Sequence, residues 1–219
     1  MHATGQKTIV FGVLGICGTA LMLCGDMLLY FTAEPLDALG ARLFEVMGTI
    51  DWARLTAGGL LGPLGAVLYL FGYFQIYLTV KEEHKCTAAV VFVLLSVGIV
   101  VGGAYHAGFA HVGMMVSAGQ QELATRIFVA DMVPYYWIVM GTRAVAYLLL
   151  AYLIVRNMTW YPRWAVLFLP IIWVFFKDLP LVLPQPLMIV IAGGWYNLIE
   201  MLFFTVTVLS ARRTRRISL

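Results

Sequence analysis

Apolar residues run through this chain in six long blocks: Thr8–Phe31, Arg54–Val80, Cys86–Ser117, Ile127–Val155, Trp164–Leu183 and Leu187–Ser210. An α-helix rises about 1.5 Å per residue and the hydrocarbon layer of a bilayer is about 30 Å thick, so blocks of this length can cross it. Strict in–out alternation is absent, which argues against a barrel, and irregular backbone cannot face lipid. The pattern predicts an all-α integral membrane protein, a six-transmembrane-helix bundle forming one domain over residues 1–219. The first block is too long for a secretory signal and lacks a small-residue cleavage site.

Residues 33–53 form the long connection, between spans 1 and 2. Leu39, Leu43, Val46, Met47 and Ile50 recur there at roughly helical spacing, with Asp37, Arg42, Glu45 and Asp51 between them. That pattern predicts a short amphipathic helix lying in the interface plane, where a lid would also lie. Gly58 and Gly62 form a GxxxG, suited to close helix contact inside the bundle or between subunits of a homo-oligomer.

Composition sharpens the class. The chain is 62% hydrophobic and 11% charged, against about 25% charged for a soluble domain. Its first partners are therefore membrane lipids. Basic residues set the orientation. With both termini inside, the inner segments hold Lys7, Lys81, Lys85, Arg156, Arg163, Arg212, Arg213, Arg215 and Arg216, and the outer ones Arg42, Arg54 and Arg126. The expectation is a multi-pass protein of the cell membrane with cytoplasmic termini. The basic tail at 211–219 reads as a contact for anionic lipid and not for nucleic acid. Cys17, Cys24 and Cys86 match no metal or disulfide spacing.

Polar residues inside the blocks carry the candidate chemistry, because each is costly in hydrocarbon unless paired. Val100–Met115 holds His106 and His111. These are about 140° apart around a helix, so they do not form a two-histidine metal site, and the metal prediction is none. A site with one histidine would need Asp26, Asp131 or Glu200 beside it. By depth, Asp26, His106, His111, Asp131, Lys177 and Asp178 fall in the outer half and Asn197 and Glu200 near the middle, leaving only Arg143 on the inner side. Arg143 reads as an inner-side structural cation near Tyr136 and Tyr147. Gly193, Tyr196, Asn197 and Glu200 share one face of span 6 and suggest a lined cavity. Lys177 and Asp178, as neighbours, point about 100° apart on a helix and should pair elsewhere, Lys177 with Asp26 or Asp131.

Asp26, His106 and Glu200 are thus the candidate catalytic residues. His111, Asp131, Tyr135, Lys177, Asp178, Trp195, Tyr196 and Asn197 are the candidate substrate-binding residues. Nucleophile-elbow, HExxH, phosphate-loop and selectivity-filter motifs are missing, and no motif names a cofactor. Gly25-Asp26-Met27-Leu28-Leu29 resembles a short element of lysoplasmalogenase-like membrane proteins. That family's second aspartate motif is not found, and no residue role is carried over. The paired HxxxH of the ceramidase/progestin-receptor group is also missing.

The expected function is a membrane-embedded enzyme acting on a lipid or other apolar small molecule from the outer half by His/carboxylate acid–base chemistry. The alternatives are a proton-coupled transporter or channel, and a non-catalytic binding or sensory protein. The nearly bare inner half and the lack of an inverted repeat weigh against transport.

Overall fold

The computed structural model describes residues 2–34 and 41–217 of the chain. Asp37 and Leu39, two positions of the predicted interfacial pattern, lie outside the described residues, as do the side chains of the basic tail. The described residues are almost wholly helical. An isolated bridge, Val80 to Thr159, is the one β-type pairing among them.

The helices are α1 (His2–Tyr30), α2 (Ala41–Gly48), α3 (Trp52–Thr79), α4 (Lys85–Ser117), α5 (Gln121–Ile127), α6 (Val133–Val155), α7 (Pro170–Trp173), α8 (Leu187–Gly193) and α9 (Trp195–Ile217). Four stretches are long and apolar enough to cross a membrane: Gln6–Tyr30, Trp52–Thr79, Glu82–Ser117 and Gln121–Val155. A fifth is added if α8 and α9, bent by 69° at their junction, count as one. Outward-facing positions on these helices are apolar at helical spacing. Leu60, Leu64, Val67 and Phe71 mark the stripe on α3, and Val90, Val93, Val97 and Val100 the stripe on α4. An exterior of this kind suits lipid better than water.

Successive long helices run antiparallel. Gly15 meets Gly72 and Gly25 meets Gly58 where α1 crosses α3; Gly59 meets Ala110 and Gly103 meets Ala66 between α3 and α4; Gly98 meets Thr142 of α6, and Gly108 meets Met132 just before α6. The chain then returns to the first helix. Phe204 of α9 abuts Gly15, and Asn197 reaches Asp26, so α9 is antiparallel to α1. The Gly58–Gly62 pair is taken up inside the chain, Gly58 against Leu29 and Gly62 against His106.

Helix ends are held by specific groups. Asp51 accepts from the Arg54 amide at 2.9 Å and caps the start of α3. The Arg54 guanidinium donates to the Met27 and Phe31 carbonyls, the open end of α1. At the other end of α3, Lys85 Nζ donates to the Tyr77 carbonyl at 2.9 Å and stands over the Tyr77 ring. The α2 helix lies against the bundle and buries Phe44 and Met47.

Trp164–Leu183, expected as a single spanning helix, is instead a series of 3-10 turns (Arg163–Phe168, Val174–Phe176, Leu179–Val182) around the four-residue α7. Proline explains it. Pro162, Pro170, Pro180, Pro184 and Pro186 lack the amide that a continuous helix needs. The segment still travels lengthwise. The Trp160 amide bonds the Thr79 carbonyl at one end of the bundle, and the Trp173 carbonyl accepts from Trp195 Nε1 at the start of α9. In this segment Lys177 and Asp178 pair with each other at 2.8 Å and are exposed, contrary to the expected long-range pairings. A turn lets neighbours converge where a helix would splay them.

A Cβ added at Gly18 would sit 2.8 Å from both the Gly65 carbonyl oxygen and the Tyr69 amide nitrogen, which are backbone atoms that cannot swing aside. Gly18→Ala is expected to destabilise by about 1–3 kcal/mol, the usual range for overpacking. Gly141→Ala, with nothing within 4 Å, should change little. Thermal unfolding of the purified protein in detergent checks the pair.

Candidate functional site

Between α1, α4, α6, α8 and α9 lies a cavity of about 260 Å³. Its polar wall is Asp26, His106, Arg143 and Asn197; its aromatic wall is Tyr30, Tyr105, Phe109, Tyr136 and Tyr196. Small residues make the space. Gly98, Gly102 and Gly193 line it without filling it.

Asp26 is the hub. Its Oδ1 stands 3.2 Å from His106 Nδ1, and its Oδ2 accepts from Asn197 Nδ2 at 2.7 Å. Asn197 Oδ1 in turn accepts from the Tyr69 hydroxyl at 2.7 Å. The second ring nitrogen of His106, Nε2, meets the Gly58 carbonyl at 3.1 Å. A carbonyl only accepts, so Nε2 carries a proton. The Oδ1–Nδ1 contact then needs one more proton, either on the carboxyl or on the imidazole. Asp26 and His106 therefore share a single proton and form a pair of no net charge in either arrangement.

A second cluster sits one turn deeper along α9. Glu200 is fully buried, and its Oε1 accepts from Arg143 at 2.6 Å and from the Tyr147 hydroxyl. Tyr73 donates weakly to the same oxygen at 3.5 Å and accepts from Arg143 at 3.1 Å. Arg143 stands by Tyr147, as the sequence suggested, and has in addition a carboxylate partner that the sequence reading did not name. Its guanidinium reaches from α6 to α9 and neutralises Glu200. The backbones of α6 and α9 stand apart, and the bridging is done by side chains: Arg143 to Glu200, and the Tyr136 hydroxyl to that of Tyr196 at 3.4 Å.

The structure brings together Asp26, His106, Tyr196 and Asn197 of the predicted set. It places Glu200 beside them but behind Arg143, outside the cavity wall. His111 and Asp131 are exposed, and Tyr135 is half-buried off the cavity. Trp195 donates to the Trp173 carbonyl, and Lys177 and Asp178 are surface residues away from the cavity. Among the described residues, no three His, Cys, Asp or Glu side chains stand close enough to hold a metal ion.

Sequence reasoning missed the tyrosines. Tyr69 and Tyr73 are not among the candidate residues, yet both are fully buried and bond the site. The signal was present: they continue the inward stripe of Gly58, Gly62 and Gly65 at steps of three and four. The end of the bundle where α1 begins, which the sequence reading expected to be nearly bare, also carries buried polar groups. Gln75, Thr79 and Thr207 are buried at that end, Thr207 donating to Gln75 Oε1 at 3.0 Å.

Removing one partner of a buried ion pair leaves the other uncompensated, at a cost of about 3–5 kcal/mol. Glu200→Gln is expected to lower stability by that order, and the double variant Arg143→Met/Glu200→Leu to recover at least half of the loss. Unfolding midpoints of the purified variants check this.

No curated protein and no solved structure matches the chain. It matches the model of a family of unknown function, DUF6796, over residues 1–214. That match covers nearly the whole chain, so the protein belongs to the family DUF6796.

Proposed function

We propose that this is a multi-pass membrane protein that binds a lipid or another apolar small molecule with one polar group, and exchanges a proton with it at Asp26–His106. The observation that carries the reading is the cavity itself: mostly apolar, with one proton-sharing pair in its wall. A purely structural polar cluster has no need of empty space beside it. Asp26 is the acid–base group that faces the ligand, and His106 is its proton partner. Asn197, fixed by Tyr69, orients the carboxylate. Glu200, expected as a third catalytic group, holds Arg143 and the wall of the cavity.

A non-catalytic binding role is the second reading. It is favoured by the Gly58 carbonyl, which occupies His106 Nε2 and leaves the imidazole no free nitrogen for a substrate. A transporter is less well supported, because Phe203 and Phe204, both fully buried, lie along α9 between Glu200 and the buried Thr207.

In the membrane, the reading has six crossings. The fifth is the broken Trp164–Leu183 segment, and α2 lies at the outer face. The antiparallel order and the course of 160–173 support it. So does the position of the basic residues: the Lys81 turn, Met158–Trp160 and the end of α3 are stitched together by backbone hydrogen bonds at the end where α1 begins. The cell membrane with cytoplasmic termini follows from the basic bias. The pocket then opens in the outer half.

Two measurements test the proposal. Native mass spectrometry of the gently purified protein should show a retained lipid-like mass, reduced by Asp26→Asn; a protein that is always empty, with no ligand gained from added lipid, would sink the binding role. In a variant with Cys17, Cys24 and Cys86 replaced by Ser, a membrane-impermeant thiol reagent should label Glu45→Cys on intact cells and Glu83→Cys only after permeabilisation. Reversed labelling would invert the orientation.

A further inference from the structure

We infer that the polar group seated in this cavity is an organic ammonium, tertiary or quaternary, on an apolar tail. This rests on the binding part of the reading above, without its proton exchange, and specifies the ligand. Five aromatic side chains (Tyr30, Tyr105, Phe109, Tyr136 and Tyr196) surround the cavity and share it with the carboxylate of Asp26. The wall is continuous: Tyr105 stands 5.0 Å from Phe109 and 6.2 Å from Tyr136, centroid to centroid. Aromatic rings around a cation attract it through their quadrupole, and a nearby carboxylate adds a counter-charge. A cavity of about 260 Å³ holds an alkylammonium group and the first carbons of its tail.

The donor inventory weighs against the opposite charge. An anionic ligand needs a free cation or convergent N–H and O–H groups. Arg143 is neutralised by Glu200, one N–H of the Asn197 amide is spent on Asp26, and the Tyr30 hydroxyl donates to the Gly193 carbonyl at 3.0 Å. The hydroxyls left in the wall, that of Tyr105 and one of the Tyr136–Tyr196 pair, are neutral. An acid would meet the Asp26 carboxylate with no cation to spare. A cation instead takes the place of the proton that Asp26 shares with His106. That proton leaves for solvent, and the charge of the site is unchanged.

The test uses the full chain in phosphatidylglycerol nanodiscs and three probes of one chain length: hexyltrimethylammonium, hexanol and hexanoate. Binding is read by calorimetry. The cation should bind at least about tenfold more tightly than hexanol, with hexanoate weakest. Asp26→Asn should abolish the preference. Tyr105→Leu should weaken cation binding about three- to tenfold while Tyr105→Phe retains it, since a cation needs the ring and not the hydroxyl. The tyrosine pair lies outside the Asp26 hydrogen-bond network and carries the test if Asp26→Asn fails to fold. Repeating the titration in phosphatidylcholine nanodiscs separates two sources of the same chemistry. Weaker apparent affinity there identifies a lipid headgroup as the occupant, and unchanged affinity a free amine. Equal or tighter binding of hexanol overturns the ammonium inference and leaves the pocket standing. If none of the three binds, the pocket reading itself fails.

Discussion

His106 can reach Asp26 only because glycines stand in its way. A Cβ at Gly25 would lie 2.7 Å from His106 Nε2, and one at Gly62 would lie 2.7 Å from its Cγ. The imidazole therefore occupies a socket between α1 and α3 that any larger residue would close. The same glycines let the two helix backbones approach, with Gly58 and Gly25 in contact. Close packing and the polar pair are one constraint. A histidine from α4 enters the α1–α3 seam, and the seam supplies both its carboxylate and its carbonyl partner.

The rest of the polar interior follows from the cost of burying charge. Asp26 is paired with His106 and Asn197, and Glu200, through its Oε1 alone, with Arg143 and two tyrosines. Each cluster is neutral as a whole, as a low-dielectric interior demands. The clusters are joined by α9, which carries Asn197 and Glu200 one turn apart, and by Tyr69 and Tyr73 of α3, again one turn apart. Two helices thus hold two neutral sites in fixed register. The cavity opens beside the first and is walled by Arg143 of the second.

Much of this was legible in the sequence, for physical reasons that differ by element. Helices α1, α3, α4 and α6 announce themselves by apolar length alone. The fifth block failed because hydropathy counts side chains and ignores amides: its prolines deny the backbone what a helix requires, and no apolar side chain compensates. In the site, Asp26, His106 and Asn197 were readable because a polar group deep in an apolar run has few explanations. Arg143 was read with Tyr147 near it, but its pairing with Glu200 was missed because its long side chain carries the charge across to α9. Tyr69 and Tyr73 were missed because a tyrosine towards a helix end suits an interface as well as an interior. His111, Asp131 and Lys177 show the converse error, since polar residues near a mouth can simply face out.

The hydroxyl of Tyr69 has an effect that reaches beyond its own contact. By donating to Asn197 Oδ1, it fixes which end of the amide is oxygen, so Nδ2 must point at Asp26. Oδ2 of that carboxylate is thereby kept as an acceptor and cannot carry hydrogen. Gly58 does the same for the far side of the imidazole. Of the four heteroatoms in the pair, two are locked, and the one hydrogen available for exchange is that on the 3.2 Å line between Oδ1 and Nδ1. Tyrosine, amide and glycine carbonyl together reduce a branched tautomer problem to a single coordinate.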